Sequence, residues 1–344
     1  MGALPHTPTT IPDEGNDPSM RTPRTARIRM LLAAATAVGG VFVWGALASA
    51  QGATAADLPA DTVFHNYPLQ AHEWVAENPD DPRADVIAER ITSQPQGVWF
   101  SSYQPSTITQ DVAEVTSAAA AAGEVPVLVS YMIPDRDCGG ASAGGAPDLP
   151  SYLSWNQGFA DGLGSGPVVV ILEPDALALS DCLEGADRTA RFDAISEAAA
   201  TLHAANPEAR VYFDVGHSAW HDPAEIADVL EQAGILENGD GIFSNVSNYR
   251  TTDDEVAFAE AVLNELGAPE GLGAVIDTSR NGNGPAGGEW CDPPGRLVGE
   301  NPTVATGSDL IDAFLWVKPP GELDGCDGPA GQFSPDKAVE LAGG

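Results

Sequence analysis

The chain alternates between short apolar runs and longer segments that are rich in alanine and polar residues. Seven runs are dominated by β-branched and other apolar side chains. Apolar runs of this length predict strands that are buried on both faces, as in a parallel sheet. The predicted strands cover residues 97–101, 126–131, 168–173, 210–215, 241–246, 272–278 and 312–317.

Segments with helical spacing, rich in Ala and Glu, separate most of these runs. Examples span residues 108–122, 186–204, 223–232 and 253–266, and a last helix-like segment spans residues 336–342. Strands that alternate with helices predict parallel βα units joined by right-handed crossovers. Seven or eight such units favour an α/β fold in which the sheet curls into a barrel with the helices outside. An open, doubly wound sheet is the alternative, which periodicity alone does not exclude.

The N-terminus predicts a targeting segment. Four arginines between positions 21 and 29 precede an apolar stretch over residues 30–50, and the strings ASA at 48–50 and ATA at 53–55 are two possible cleavage sites. This order is typical of a secretory signal peptide. An uncleaved membrane anchor is the alternative, because the apolar stretch is long enough to span a bilayer. We therefore expect a leader over residues 1–56 and one domain over residues 57–344 of a secreted protein.

The chain is strongly acidic, with a formal net charge of -35 from 50 acidic and 15 basic residues. Such a surface repels phosphate backbones and anionic lipid headgroups, so we expect no nucleic-acid partner and no stable membrane association after leader removal. The acidic residues are spread along the chain rather than gathered in a tail, which is typical of a solvated surface. We expect a monomer.

Four cysteines in an exported chain predict two disulfides, for which three connectivities are possible. Cys138 and Cys182 follow two neighbouring strands, so their pairing would join adjacent loops. Cys291 and Cys326 flank the last strand in a similar way. A zinc site is the competing use of cysteine, but the chain has no C-x-x-C pair, which disfavours it.

Polar side chains follow the C-terminal ends of most predicted strands, the edge at which β/α barrels build their functional sites. The clearest case is Asp175, which follows a wholly apolar run and Pro174, where the strand must end. A carboxyl group in a partly dry position has a raised pKa and can donate a proton near neutral pH. The other polar or aromatic residues near strand ends are Trp99, Tyr131, Asp135, Arg136, Asp137, Glu173, Asp214, His217, Trp220, Asn245, Asn248, Asp277, Arg280, Trp290, Lys318, Glu322 and Asp324.

This set combines several carboxylates and tryptophans with few cations. Indole faces stack on sugar rings, and Asp, Asn, His and Lys side chains pair with hydroxyl groups, so the set fits a sugar polymer better than a phosphate-bearing ligand. His217 and His221 are four residues apart, but the third ligand and the adjacent glutamate of the common zinc motif are missing. No nucleotide-binding fingerprint follows the first strand. We therefore predict neither a metal nor a cofactor.

Longer sequence motifs indicate the class of protein more specifically than single residues do. They are YMIPDRDC at 131–138, VVVILEPDAL at 168–177, YFDVGHSAW at 212–220, NVSNY at 245–249, IDTSRNGNG at 276–284, EWC at 289–291 and DAFLWVKPPGELDGCDG at 312–328. In this order, and over nearly everything from about residue 60 onward, the chain resembles the cellulases of glycoside hydrolase family 6. The resemblance implies a distorted, seven-stranded parallel β/α barrel, a variant of the TIM barrel. It also implies cofactor-free hydrolysis of β-1,4-glucosidic bonds with inversion, so the expected partner is a β-1,4-glucan.

The resemblance also implies roles for individual residues. Asp175 is the general acid, Asp137 keeps the pKa of that acid high and helps to position the water, and Asp324 is the proposed base. The base assignment is contested in this family, because activation of the water through a chain near Asp137 is an alternative. Asp214 has a supporting role, and Tyr131 lies beneath the distorted sugar. The implied glucose contacts are Trp99, His217, Trp220, Asn248, Trp290, Lys318 and Glu322.

Short loops favour an endoglucanase over a cellobiohydrolase of the same family. Exo-acting members roof the site with two long loops, whereas the segment after Asp324 is short and the string DRDCGGASAGGAPD resembles the bacterial endo type. An open cleft admits internal positions of a glucan chain. Two further alternatives are a secreted glucan-binding protein without activity, which the presence of all four expected aspartates disfavours, and a metal-dependent carbohydrate esterase.

Overall fold

All seven predicted strands form. In the computed structural model, which describes residues 58–344, each strand begins and ends within two residues of the predicted run. The strands are β1 (Val98–Phe100), β2 (Val127–Ser130), β3 (Val168–Leu172), β4 (Ala209–Asp214), β5 (Gly241–Ser244), β6 (Gly273–Asp277) and β7 (Ile311–Leu315). The apolar pattern therefore located each strand of the described chain.

The strands lie in one sheet in sequence order, and each neighbouring pair is parallel. Because this order never reverses, the doubly wound alternative, which has a switch point, is wrong. No ladder joins β7 to β1 within residues 58–344. The two ends still meet, because the N–H of Gly97 donates to the carbonyl of Trp316 at 2.8 Å. The sheet is a curled, incompletely closed barrel, which confirms the predicted distorted β/α barrel.

Helices occupy most of the segments between the strands. They are α1 (Gln70–Glu77), α2 (Ala84–Ile87), α3 (Ile108–Ala122), α4 (Leu149–Asp161), α5 (Gly185–Ala205), α6 (Pro223–Gln232), α7 (Ile235–Asn238), α8 (Thr252–Glu265) and α9 (Pro335–Leu341). A π-helical turn, Ala88–Thr92, continues α2. The five predicted helical segments agree with α3, α5, α6, α8 and α9 to within one residue at each end.

Helix α4 lies in a segment that was not among the predicted helical examples. It contains a glycine and three aromatic residues, which are weak helix formers, while its proline lies in the first turn, where a missing N–H costs nothing. Asp148 caps its N-terminus by accepting the N–H of Ser151 at 2.8 Å. Tyr152, Trp155 and Phe159 are fully buried. Packing onto the barrel therefore stabilises a helix that propensity alone does not favour.

Two apolar layers share the sheet, because successive side chains of a strand point to opposite faces. In β3, Val169 and Ile171 join a cluster inside the barrel, whereas Val168, Val170 and Leu172 join a second cluster under the helices. The inner cluster also contains Val127, Val129, Tyr212, Phe243, Val275, Ala313 and Leu315. Since both faces of the strands are covered, the strand ends are the natural place for a polar site.

Both disulfides connect loops at the C-terminal edge of the sheet. Cys138–Cys182 joins the loops after β2 and β3. Cys291–Cys326 joins the loops after β6 and β7. These are the two pairings that the cysteine positions suggested, out of three possible connectivities.

The predicted leader, residues 1–56, and its cleavage sites lie outside the described residues. The division of the chain into a leader and one domain therefore stays a prediction. Within residues 58–344, no helix combines the length and the apolar character that crossing a bilayer requires.

We expect Ile171→Ala to destabilise the barrel strongly. Ile171 is fully buried in the inner cluster, and a sheet held on both sides collapses poorly around a cavity, so the free energy of unfolding should fall by about 2–5 kcal/mol. Ile171→Val, which removes one methylene group, should cost about 0.5–1.5 kcal/mol. Denaturant unfolding under non-reducing conditions measures both. Equal losses for the two variants would contradict close packing inside the barrel.

Candidate active site

A cleft of about 480 Å³ opens at the C-terminal ends of the strands. Of the twelve residues that the sequence assigned to the site, ten line this cleft. They are Trp99, Tyr131, Asp137, Asp175, His217, Trp220, Asn248, Trp290, Lys318 and Asp324. The other two are Asp214, which is buried beneath the strand ends, and Glu322. Loops that are far apart in sequence therefore converge on one cavity.

A second cavity of about 560 Å³ continues the cleft. It shares Trp99, Tyr131, Ser142 and Lys318 with the first cavity, and we describe the two together as one groove. Glu322 and Gln70 line the second cavity, and Gln70 Nε2 donates to a carboxylate oxygen of Glu322 at 2.8 Å. We call the two limits of this groove the Glu322 end and the Trp290 end.

Asp175 occupies a strained turn directly after β3. Glu173 and Asp175 have φ values of 53° and 67°, a region that residues other than glycine seldom adopt and that is enriched at functional sites. Burial raises the pKa of Asp175 well above its usual value, and the negative charges of Asp214 and Asp137 raise it further. The Asp175 carboxyl therefore keeps its proton at a pH where exposed carboxyls are ionised.

Asp214, the last residue of β4, supports the turn that carries Asp175. Its buried carboxylate accepts the N–H groups of Leu177 at 3.2 Å, Ala178 at 2.8 Å and Gly216 at 3.0 Å. Burial raises the pKa of Asp214, and these hydrogen bonds oppose that effect. Asp214 thus holds the loop in place and puts a carboxyl group next to Asp175.

Asp137 lies in the loop after β2, next to a disulfide. One of its carboxylate oxygens accepts the N–H of Ser142 at 2.7 Å. Arg136 braces the same loop by donating to the carbonyls of Ser142 at 2.8 Å and Tyr131 at 2.5 Å. Its guanidinium also lies 4.4 Å from the ring centroid of Tyr131. The loop is therefore held rigidly, with Asp137 facing the cleft.

Asp324 is tightly held by hydrogen-bond donors. Arg280 Nη1 lies 2.9 Å from both carboxylate oxygens, and the Tyr249 hydroxyl donates at 3.0 Å. The N–H of Asp292 donates at 3.1 Å, and Lys318 Nζ lies 4.0 Å away. These donors orient the carboxylate. The sequence suggested Asp324 as a base but did not predict its ion pair with Arg280, in which Nη1 contacts both carboxylate oxygens.

Asp292 anchors the loop that carries Asp324. Its carboxylate accepts the N–H groups of Asp324 at 2.7 Å, Cys326 at 3.0 Å and Asp327 at 3.0 Å. Burial raises the pKa of Asp292, but these and a further backbone hydrogen bond outweigh it, so the pKa lies below its usual value. Sequence reasoning missed this residue, because an aspartate beside a cysteine is a weak signal.

Aromatic rings line the groove at several points. Trp99 meets Tyr131 edge to face, with ring centroids 5.3 Å apart. Lys318 Nζ lies 5.8 Å from the centroid of the Trp99 ring. Trp290 is 53% exposed on the rim of the cleft. The exposed indole offers an apolar face to a ligand without any rearrangement.

Trp220 and His217 form a second aromatic contact in the loop after β4, with ring centroids 5.5 Å apart. Gly216 permits this packing, because a Cβ atom there would lie 2.7 Å from the Trp220 ring. Burial, together with the charges of Arg250 and His221, lowers the pKa of His217 to about 4. The imidazole is therefore neutral at mildly acidic pH, where it can both donate and accept hydrogen bonds.

The two histidines of this loop do not converge on a common ion. His221 Nε2 lies 2.6 Å from the carbonyl of Ala178, and His217 Nδ1 accepts the N–H of Ala219 at 3.2 Å. Across residues 58–344, no three His, Cys, Asp or Glu side chains are grouped so that they would hold a metal ion.

Several lining residues were not assigned from the sequence. Tyr249, Arg250 and Glu289 face the cleft. Arg280, which the sequence placed near a strand end without a role, reaches the cleft through Asp324. The available signal was their place in the strings that follow β5 and β6. Neither helix or strand propensity nor residue spacing indicates where a loop side chain points. Position in these strings was therefore not enough to assign the residues to the cleft.

A parallel β/α barrel whose strand-end cleft combines a proton-bearing aspartate, further carboxylates and exposed indoles has the site of a glycoside hydrolase. Residues 59–342 match the model of glycosyl hydrolases family 6, and the chain belongs to this family. The resemblance stated from the sequence strings is therefore confirmed.

Known proteins of high similarity agree with this assignment. Endoglucanase 1 of Streptomyces sp. (strain KSM-9) is 66% identical over 274 residues, which cover 79% of this chain and 76% of that protein. Endoglucanase A of Thermobispora bispora is 50% identical over 313 residues, which cover 90% and 67%. The solved structure of the endoglucanase Cel6 from Mycobacterium tuberculosis, in complex with methyl-cellobiosyl-4-deoxy-4-thio-β-D-cellobioside, is 40% identical, with a TM-score of 0.77 over 83% of this chain and 97% of that one.

We expect Asp175→Asn to stabilise the fold near neutral pH. Because the folded state raises the pKa of Asp175, it binds this proton more tightly than the unfolded chain does, and stability falls as the pH rises from about 4 through the raised value. Asn removes this penalty, so Tm at pH 7 should rise above that of the wild type.

Calorimetry at several pH values tests this expectation. The gain in Tm should shrink towards pH 4, since the wild-type carboxyl is then protonated in both states. Asp80→Asn, at an exposed position, is the control and should leave Tm unchanged. A gain of the same size at every pH would show that the raised pKa is not its cause.

Proposed function

We propose that this protein is a secreted endo-β-1,4-glucanase that hydrolyses cellulose or a related β-glucan with inversion at the anomeric carbon. The observation that carries the proposal is Asp175, with its raised pKa, at the wall of a groove lined by indoles and further carboxylates. Family membership and relatives named endoglucanase support the same reaction.

Asp175 is the general acid. Cleavage of a glycosidic bond requires a proton on the leaving oxygen as the bond breaks. Burial and the charges of Asp214 and Asp137 keep this proton on Asp175 until an oxygen of the substrate receives it. Asp214 fixes the loop around the acid by accepting the N–H groups of Leu177 and Ala178, which supports the position of the Asp175 carboxyl.

A water attacks the anomeric carbon from the other side of the sugar ring. Inverting enzymes place the second carboxylate about 6.5–9.5 Å from the acid, which leaves room for this water. We assign Asp324 as the base, since it lines the same cleft and its donors hold it in one orientation. Asp137 positions the water as a further acceptor. Tyr131, packed between Arg136 and Trp99, supports the sugar ring from below.

The groove binds successive glucose units through stacking and hydrogen bonds. Trp99, Trp220 and Trp290 supply apolar faces, which stack on sugar rings. Asn248, Lys318, Glu322 and the neutral His217 pair with hydroxyl groups. The thio-linked cellobioside in the Mycobacterium tuberculosis relative supports a β-glucan chain as the ligand.

Endo action is favoured over exo action. Relatives at 66% and 50% identity are named endoglucanases. Trp290 is 53% exposed, so this end of the groove is open to solvent. An open groove accepts a long chain from the side, which an exo-acting tunnel does not.

Secretion is proposed from the leader pattern in residues 1–56 and from the two disulfides, which persist in oxidising surroundings. We propose a monomer that acts without a cofactor, a nucleic-acid partner or a membrane.

The test is the purified protein on carboxymethylcellulose and on cello-oligosaccharides. We expect a rapid fall in viscosity relative to the release of reducing ends, and NMR should show the α-anomer as the first product. Asp175→Asn should lose nearly all activity and still bind oligosaccharide. Slow viscosity loss with cellobiose as nearly the sole product would favour the exo-acting alternative. A β-anomer as first product would overturn inversion.

We expect Asp137→Asn to move the alkaline limb of the pH–rate profile to lower pH. The acid must be protonated to act, and removing the nearby charge of Asp137 lowers the pKa of Asp175. Activity is then lost at a lower pH as the pH rises. Asp135→Asn, at an exposed position in the same loop, is the matched control. An alkaline limb that stays in place for Asp137→Asn would contradict this role.

A further inference from the structure

Asp277, the last residue of β6, has no part in the chemistry above, yet its side chain contacts three loops. It is 2% exposed. One carboxylate oxygen accepts the N–H groups of Ser279 at 2.9 Å and Val317 at 3.2 Å. The other accepts those of Lys318 at 3.1 Å and Ser247 at 3.4 Å. The donors belong to the loops after β5, β6 and β7, so a single carboxylate links three loops.

Two of these donors, the N–H groups of Val317 and Lys318, belong to backbone that lies next to the groove. The carbonyl of Val317 accepts the indole N–H of Trp99 at 2.8 Å. Lys318 follows Val317, and its Nζ lies 5.8 Å from the centroid of the Trp99 ring. The backbone that Asp277 holds therefore carries one groove-lining side chain and binds the indole of another.

A third donor, the N–H of Ser247, is connected through Arg280 to Asp324, the carboxylate assigned as the base. The carbonyl of Ser247 accepts a hydrogen bond from Arg280 Nη2 at 2.5 Å, and Arg280 Nη1 holds both oxygens of Asp324 at 2.9 Å. Asn248, which lines the cleft, follows Ser247. A shift of the Ser247 backbone would therefore move the guanidinium that orients Asp324.

We propose that Asp277 is a positioning residue that sets the placement of Trp99 and Lys318 in the groove. It acts through Val317 and the Lys318 backbone, and through Ser247 it also steadies the pair of Arg280 and Asp324. This inference rests on the proposed glucan hydrolysis and adds a determinant of substrate affinity that does not touch the substrate.

The carboxylate cannot be replaced by an amide without loss. Four N–H groups converge on two oxygens, and an asparagine offers one oxygen and one NH₂ group. In either orientation of the amide, two backbone N–H groups face a donor instead of an acceptor. A buried N–H group without an acceptor destabilises the loop conformation in which it occurs. We therefore expect the loops of this variant to move away from their wild-type positions.

The experiment compares oligosaccharide affinity in inactive enzyme. Asp277→Asn is combined with Asp175→Asn, and the Kd for cellotetraose is measured by calorimetry at a temperature where circular dichroism shows both proteins to be folded. We expect Kd to rise roughly tenfold or more over Asp175→Asn alone. On the active background, kcat/KM of Asp277→Asn should fall by at least the same factor.

Asp312→Asn is the matched control. Asp312 is also a nearly buried carboxylate of the barrel, but it lies near the start of β7, where it accepts the Tyr212 hydroxyl at 2.7 Å and pairs with Arg210 at 3.0 Å. Its replacement should lower Tm without weakening cellotetraose binding. If Asp277→Asn lowers Tm and leaves Kd and kcat/KM within twofold of the Asp312→Asn values, the positioning role is refuted.

Asp277→Glu is the second variant, and it replaces Asp277→Asn if the latter does not fold. It keeps both acceptor oxygens but lengthens the side chain by one methylene group, so we expect a smaller rise in Kd than for Asn. The proposal would be overturned if Asp277→Glu, and also Asp277→Asn where it folds, bound cellotetraose with the same Kd as Asp175→Asn alone. Failure of the wild type to cleave carboxymethylcellulose would instead refute the proposed function, whereas the cellotetraose titration would still report on Asp277.

Discussion

The site depends on how buried backbone N–H groups are satisfied where the strands end. Regular hydrogen bonding stops at these points, although the surroundings are still dry, and an unpaired N–H group there is costly. Buried carboxylates accept these donors. Glu173 accepts the N–H groups of Met132 at 2.7 Å and Ile133 at 2.8 Å, while Asp214 and Asp277 hold the loops after β3, β4, β5, β6 and β7. The positions of the loops around the cleft therefore depend on carboxyl groups that are buried beneath them.

The same arrangement accounts for the electrostatics of the cleft. Burial raises the pKa of Asp175, and the charges of Asp214 and Asp137, which take part in holding these loops, raise it further. The loops also contain unusual backbone conformations. Apart from Ala268, every described non-glycine residue with positive φ lies in a loop that follows the C-terminal end of a strand. Strain, buried charge and the proposed chemistry thus occur together, and the regular barrel beneath provides the stability that they require.

Local pattern predicted the framework well, because buried strands and amphipathic helices have regular periods. Residues 168–172 are apolar without interruption, and β3 spans those residues. Helix α4 was not among the predicted helices, since its glycine and aromatic residues are weak helix formers and its stability comes from the burial of Tyr152, Trp155 and Phe159. The positions of Asp137 and Asp175 at strand ends were visible in the sequence, whereas the ion pair of Arg280 with Asp324 was not.

The sequence by itself determined the strands, the main helices, the family and most of the residues that face the cleft, because each depends on local order or on strings that can be read along the chain. The tertiary structure alone decided which partners those residues meet. Asp277 reaches Ser247 and Lys318, and Asp292 reaches Asp324, across 30 to 41 positions of sequence. Such contacts arise from the parallel ladder, which brings the C-terminal ends of all seven strands to one edge, and no local signal in the chain encodes them.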